Sequence, residues 1–251
     1  MVDIHSHILA GLDDGPQTLE QSVAMVRVAA ESGTTDIVAT PHSDLRFTYD
    51  PEIVDRKIAE LAAASGGSVR IHRGCDFHLY YENIQRALAQ PSRYTINGKR
   101  YLLVEFSDVM ILKSADEVFE RMQAAGITPV VTHPERNMLL AGNPDQLRRW
   151  VEAGCRIQVT AQSFEGRFGR KAQAASENLI EIGLVHFIAS DAHDAAHRPP
   201  ALAKARDLIE RNYGKPSAER LFVINPRAVL TGEVVDVAGT HVRARKWRRW
   251  W

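Results

Sequence analysis

Seven short runs rich in apolar and β-branched residues recur along the chain, with helical periodicity between most of them. This alternation restricts the possible folds more than any other feature. The runs occupy residues 2–5, 36–40, 69–75, 101–106, 129–133, 156–160 and 186–190, and each reads as a buried strand. Helical periodicity falls at 18–32, 51–65, 115–125, 144–153 and 171–182, and Gly33, Gly126, Gly154 and Gly183 follow four of these segments, where helix C-caps belong. Strand starts recur at intervals of roughly 30 residues, the length of one βα unit. Right-handed crossovers would wind seven such units into a closed barrel or an open doubly wound sheet.

The strand ends decide between the two. An open sheet gathers functional residues at one or two switch points, whereas every strand of a barrel can contribute to its C-terminal mouth. Nearly every run here ends in a polar, potentially ligating residue, which favours the barrel. Further helices are expected at 201–212 and 217–222, and Asn225-Pro226-Arg227 opens a last short one. Periodicity fades from Gly232, so the chain divides into one domain over 1–231 and a tail over 232–251.

Composition narrows the function classes. With 251 residues, 45% of them hydrophobic and 25% charged, the chain is an ordinary soluble protein able to bury a sizeable core. Its 31 basic and 31 acidic side chains cancel, which gives no global reason to expect nucleic acid as a partner. Cys75 and Cys155 form no disulfide framework and no Cys-x-x-Cys pair, as suits a reducing compartment. No basic-then-apolar leader precedes Ile4, and no apolar stretch is long enough to span a bilayer. A cytoplasmic protein is the expectation.

The first run ends in His5-Ser6-His7. On an extended backbone these two imidazoles point to the same side, about 7 Å apart at Cα, and taken alone the pair reads more readily as structural. Later strand ends change that. His42 follows the second run and Asp76 the third, Glu105 lies in the fourth, His133 ends the fifth, and Asp191 and His193 follow the seventh. Asp14 lies in the loop after the first. A single tetrahedral site takes about four ligands, so this set suits two or three ions with a bridging carboxylate. Mixed nitrogen and oxygen ligation favours Mn, Fe, Co or Zn over Mg or Ca.

Arg136 and Arg198 stand beside these residues, in His133-Pro134-Glu135-Arg136 and Arg198-Pro199-Pro200. Next to a cluster of cations an arginine is repelled unless an anion joins the two, and guanidinium matches phosphate oxygens. A phosphate ester is therefore the expected substrate class. Neither cysteine has an arginine six positions later, where Tyr81 and Ala161 stand, so a thiol-phosphatase loop is absent. No P-loop, Gly-x-Ser-x-Gly elbow or Gly-x-Gly-x-x-Gly occurs. His72 and His186, inside strand runs, read as packed core residues, whereas His78 and His197 are candidates for contact with the ligands and His241 is ambiguous.

These motifs, with Asp3-Ile4-His5-Ser6-His7, Asp13-Asp14-Gly15-Pro16, Thr40-Pro41-His42, Glu105-Phe106-Ser107 and Ala189-Ser190-Asp191-Ala192-His193, resemble in order the polymerase and histidinol phosphatase (PHP) superfamily. More narrowly, they resemble its bacterial capsule and exopolysaccharide protein-tyrosine phosphatases. The resemblance implies an α/β fold, a distorted seven-stranded (β/α)7 TIM-like barrel. It also implies two to three divalent ions, manganese foremost, and hydrolysis of phosphotyrosine on a bacterial tyrosine kinase of polysaccharide export. Carried over by position, the ligands are His5, His7, Asp14, His42, Asp76, Glu105, His133, Asp191 and His193, and Arg136 and Arg198 hold the phosphate. One departure is Asp76, where the family usually has Glu. Rival expectations are another PHP phosphoesterase, such as a histidinol-phosphate phosphatase, and a non-catalytic metal-binding regulator. The tail, Arg243-Ala244-Arg245-Lys246-Trp247-Arg248-Arg249-Trp250-Trp251, lies outside the resemblance. It reads either as a solvated charge run or as a contact for an anionic membrane surface.

Overall fold

Residues 1–236 are described by a computed structural model of the chain. Among them run nine strands: β1 Val2–Ser6, β2 Asp36–Ala39, β3 His42–Ser43, β4 Arg70–Arg73, β5 Asp76–His78, β6 Tyr101–Glu105, β7 Thr128–Thr132, β8 Arg156–Thr160 and β9 Phe187–Ala189. They pair in the orders β1-β2-β4 and β3-β5-β6-β7-β8-β9, always in parallel. The two sheets are joined at both borders. Asp191 N–H donates to His5 O at 2.9 Å and His7 N–H to Ala192 O at 2.8 Å, which ties β1 to the chain just after β9. At the other border β2 runs on into β3, and β4 into β5.

Seven strand positions therefore surround one interior, as expected, but the second and third strands are each broken in two. The breaks fall at Thr40-Pro41 and Gly74-Cys75. Pro41 has no N–H for a ladder. Gly74 sits where a Cβ would lie 2.7 Å from Val38 Cγ1 and 2.9 Å from Thr40 Cγ2, so the third strand crosses the second closely only because it lacks a side chain there.

Helices close to the expected positions pack outside the strands. Leu19–Glu31 starts at Thr18, whose side chain and that of Gln21 form a capping box, and Pro51–Ala64 starts at Asp50 with proline in its first turn. The helix expected at 217–222 is instead Lys215–Glu219, continued through a π-helical turn at Arg220–Ile224 into Asn225–Thr231. Helices at Tyr81–Ala89, Pro91–Tyr94 and Ala161–Phe164 have no counterpart in the sequence reading. Outward strand residues such as Ile37, Leu102, Val131, Ile157 and Ile188 meet helix residues such as Met25, Leu61, Met122 and Leu179 in one cluster. Each such side chain, fully buried, contributes roughly 1.5–3 kcal/mol. Within it Trp150 stacks on Phe106 at 5.0 Å and meets Phe119 edge-on at 5.2 Å.

A second cluster fills the base of the interior: Val2, Ile4, Val38, Tyr101, Leu103, Val130, Phe187 and Ala189, closed by Val229 and Val235. Alternation puts Tyr101, Leu103 and Glu105 on one face of β6. The interior thus changes from apolar at the base to ionisable at the mouth. On β1 simple alternation would send Val2 and Ile4 away from His5 and His7. The pairing slips by one residue between Asp3 and Ser6, and this bulge re-aims the strand so that Ile4 joins the inner cluster while both imidazoles still enter the mouth.

Candidate metal centre

Every candidate ligand reaches the mouth from a strand end or from the loop that follows it. His5 Nε2 lies 3.4 Å from His7 Nε2 and 3.5 Å from both Asp76 Oδ2 and Asp191 Oδ1. His42 Nδ1 lies 3.2 Å from Asp76 Oδ2 and 3.5 Å from Glu105 Oε2, and its Nε2 lies 3.4 Å from Asp14 Oδ1. His133 Nε2 is 3.4 Å from Glu105 Oε1, and His193 Nε2 is 3.3 Å from Asp14 Oδ1. The nine expected residues thus form one connected set. Two ligand atoms that share an ion at about 2.0–2.2 Å stand roughly 3–3.5 Å apart, which is the spacing seen here.

Three groups among the described residues have atoms close enough to share an ion: His5, His7 and Asp76; His42, Asp76, His78 and Glu105; and His7, Asp14, His42 and His193. The residues fit cations on a further count. Both oxygens of Asp76, Glu105 Oε2 and His42 Nδ1 are buried and make no well-aligned hydrogen bond, although His42 Nδ1 and Asp76 Oδ2 face each other and His78 approaches Glu105 Oε2. Such atoms are costly in a protein interior unless something satisfies them.

Electrostatics agrees. Burial opposes the charge on Asp76, yet His5 and His42 hold its carboxyl well below the ordinary range. Burial and the charge of Asp76 together push Glu105 up. Burial also opposes charge on His7 and His42, but Asp13 raises the first to about 9, and Asp14 and Asp76 raise the second to about 11. Carboxylates at this density require positive charge. Protons on the imidazoles supply it in one way; divalent cations with neutral imidazole ligands supply it in another. Burial and nearby Arg136 depress His133, which leaves it neutral and able to ligate.

Several residues without a role in the sequence reading hold the candidate ligands in place. Asp13 Oδ2 lies 2.6 Å from His7 Nδ1 and accepts from His42 N–H at 3.1 Å, while Asp13 Oδ1 accepts from Gly15 N–H at 3.0 Å. Gln158 Oε1 lies 3.0 Å from His5 Nδ1. Each fixes an imidazole so that Nε2 faces the cluster. Asp13 stood in a quoted motif, and its place beside Asp14 was the available signal; Gln158, inside a strand, gave none. His78, a contact candidate, approaches Glu105 Oε2 to 2.5 Å. His197 is 92% exposed and pairs with Asp194 instead. His186 is a buried residue whose Nδ1 accepts from Ile157 N–H, whereas His72, expected in the packed core, is half-buried and bonded to Asp36 at the opposite end. His241 lies outside the described residues.

The two arginines converge on the cluster at one carboxylate. Arg136 Nη2 lies 2.5 Å and Arg198 Nη2 2.7 Å from Asp191 Oδ2, while Asp191 Oδ1 faces His5 and His7. Phe168 lies against Arg136, with the guanidinium carbon 4.6 Å from the ring centre, and is 5.9 Å from that of Arg198. Nothing local in the sequence marks Phe168. Two of these residues are backbone outliers: His133 has φ 32° and Asp191 φ 50°, conformations that cost non-glycine residues energy and that cluster at functional sites. Burial pushes the Cys155 thiol up to about 12 and that of Cys75 well above its ordinary value, so neither is a ready nucleophile.

Known proteins resemble this chain over most of its length. A family described as "Capsular polysaccharide synthesis, CpsB/CapC" matches residues 1–231. A tyrosine-protein phosphatase, YwqE, of Bacillus subtilis is 33% identical over 218 residues, covering 85% of each chain. The tyrosine-protein phosphatase CpsB of Streptococcus pneumoniae is 30% identical over 244 residues, covering 94% of this chain and all of its own. A structure from a crystallographic study of those two proteins, described there as metal-dependent tyrosine phosphatases, matches with a TM-score of 0.88 at 31% identity, covering 98% of this chain and 100% of the other.

Proposed function

Since the chain belongs to the capsular polysaccharide synthesis family CpsB/CapC, we propose that it is a metal-dependent protein-tyrosine phosphatase. The observation that carries this reading is the convergence of buried carboxylate and imidazole atoms of Asp76, Glu105 and His42 that lie close enough to share an ion and make no well-aligned hydrogen bond, with two arginines at its edge. The nine residues from His5 to His193 named above are the proposed ligands, joined by His78. His7 Nδ1 is held by Asp13, so only Nε2 is available, and two of the three groups compete for it. Three overlapping groups suit two to three ions, and manganese is the ion that the family resemblance implies.

Divalent ions here would supply Lewis acidity and a water of lowered pKa. The protein's own part is positional. Asp191 gathers Arg136 and Arg198 at one point, where their remaining N–H donors can hold phosphoryl oxygens and stabilise charge as it grows there. Arg198 Nε, buried and without a hydrogen-bond partner, is one such donor. Asp13 and Gln158 keep the histidines oriented. A tyrosine leaving group, with a pKa near 10, departs without a strong general acid, and no residue is assigned that role.

The substrate segment would belong to a bacterial tyrosine kinase of polysaccharide export. Among the described residues no helix is long and apolar enough to cross a membrane. The basic, tryptophan-rich residues 243–251, outside the described part, are proposed to meet an anionic membrane surface. Protein stripped of metal with EDTA should lose turnover of a phosphotyrosine peptide and regain it with Mn²⁺. Activity that survives complete metal removal would sink the reading, and faster turnover of histidinol phosphate than of the peptide would redirect it.

A further inference from the structure

Beside a small cavity of about 40 Å³ next to His42, larger grooves border the mouth, and they differ in what they offer an aromatic ring. One, of about 460 Å³, lies between the loops after β1 and β9, with the polar side chains of Asp14, Gln17, His193 and Asp194 in its lining. Another, of about 750 Å³, begins at Arg136 and Phe168 and runs along the helix Gly169–Glu181, and none of the proposed ligands lines it. The third, of about 440 Å³, lies between the loops after β3, β5 and β6. His78 and Glu105 form its inner end, Leu45, Leu79, Tyr80, Phe106, Met110 and Leu112 line most of the rest, and Asp44, Arg46 and Ser107 add polar groups to it. Leu45 is 85% exposed and Met110 59%. Single exposed apolar side chains are ordinary; a contiguous set that runs down to a cluster of ionisable groups has the make-up of a ligand site.

Resting on the phosphatase reading, we infer that this third groove receives the phenyl ring of the substrate's phosphotyrosine and so selects aryl over alkyl phosphates. The ester oxygen binds the ring directly to phosphorus, so the ring must lie against the cluster itself. The arginines touch the cluster at Asp191, while this groove opens from Glu105 and His78. A phosphoryl group held by both guanidiniums and the ions can therefore point its ester oxygen toward the apolar walls. Tyr80 supplies aromatic surface there, with the edge of the largely buried Phe106 behind it, and Met110 and Leu112 cover the outer part. The first groove offers no aromatic side chain but histidine and sets Asp14, Gln17, Gln21 and Asp194 among its small apolar residues, and in the second the ring would have to displace Phe168 from the arginines.

The test uses the full chain loaded with Mn²⁺ and compares wild type with Tyr80→Ala, Met110→Ala and Tyr80→Phe. Two quantities are read: kcat/KM for a phosphotyrosine peptide, and competitive inhibition by inorganic phosphate, which carries no ring. Tyr80→Ala and Met110→Ala should each lower kcat/KM about tenfold, mainly through KM, leave phosphate inhibition unchanged, and Tyr80→Phe should behave as wild type. Unchanged peptide kinetics in both alanine variants, or a parallel loss of phosphate inhibition, would overturn the groove assignment while leaving the phosphatase reading intact. A wild-type protein that does not hydrolyse the peptide at all would overturn both.

Discussion

The two ends of the barrel draw on the same residue types and treat them differently. At the base, Arg70 grips Asp36 with Nε at 2.7 Å and Nη2 at 2.8 Å, His72 Nε2 lies 3.0 Å from the same carboxylate, and Asn97 Nδ2 approaches His72 Nδ1 at 3.3 Å and donates to Leu230 O. The Tyr101 hydroxyl donates to Glu233 O and accepts from Val235 N–H. Arg156 donates to the carbonyls of Gly154, Cys155 and Val235. Donors and acceptors there are matched, and they fasten the last helix under the inner apolar cluster. At the mouth the pattern is different: both oxygens of Asp76 and Glu105 Oε2 are buried with no well-aligned hydrogen bond. Matched polar networks rigidify a fold, while buried acceptors without a well-aligned donor are atoms that a cation would satisfy. A histidine or an aspartate is therefore informative through what satisfies it rather than through its identity.

Substitutions at the two ends should separate accordingly. The largest effect is expected at Asp76, which belongs to two of the three ligand groups. Asp76→Ala should abolish turnover and lower bound metal measured by elemental analysis; an active variant with full metal content would remove Asp76 from the centre. Arg136→Ala comes next, with kcat/KM for a phosphotyrosine peptide falling by about 10²–10³ and metal content unchanged. Loss of metal in that variant would make the arginine a support for Asp191 instead. Asp13→Ala should weaken metal affinity by about 10–100-fold, read by titration with a competing chelator, because His7 is then free to turn.

The base should respond in stability alone. Burial works against the charge on Asp36, but Arg70, His72 and Thr35 outweigh it and hold its carboxyl down from 3.8 to about 2. A carboxyl depressed in the folded state contributes stability that is present above its unfolded value, near 3.8, and is lost as pH falls toward about 2. Asp36→Asn should therefore lower the denaturation midpoint at neutral pH, flatten the loss of stability between those two pH values, and leave turnover per folded molecule unchanged. A fall in turnover without a fall in stability would break the contrast between the two ends.

Much of the mouth was legible because it is local. A ligating side chain at a strand end is visible from the run that precedes it, and repetition of the βα unit delivers all strand ends to the same side of the sheet. His5, His42, Glu105, His133 and Asp191 were read in this way as candidates, the structure brings them together at the mouth, and the family named from their motifs is the one to which the chain belongs. What periodicity does not carry is contact across the chain. His5 meets Gln158 over 153 positions and Asp36 meets His72 over 36, and neither pairing leaves a mark near either residue.

The sequence by itself determined the alternating α/β order, the barrel class and the identity of the ionisable strand ends, since each depends on spacing within a few residues. Tertiary structure alone decided the bulge that turns His5 and His7 inward, the breaks at Pro41 and Gly74, the bracing by Asp13, Gln158 and Phe168, and which charged residues are satisfied. Those outcomes rest on close approach between distant segments, where packing and hydrogen bonding select one arrangement among many that the same local pattern permits.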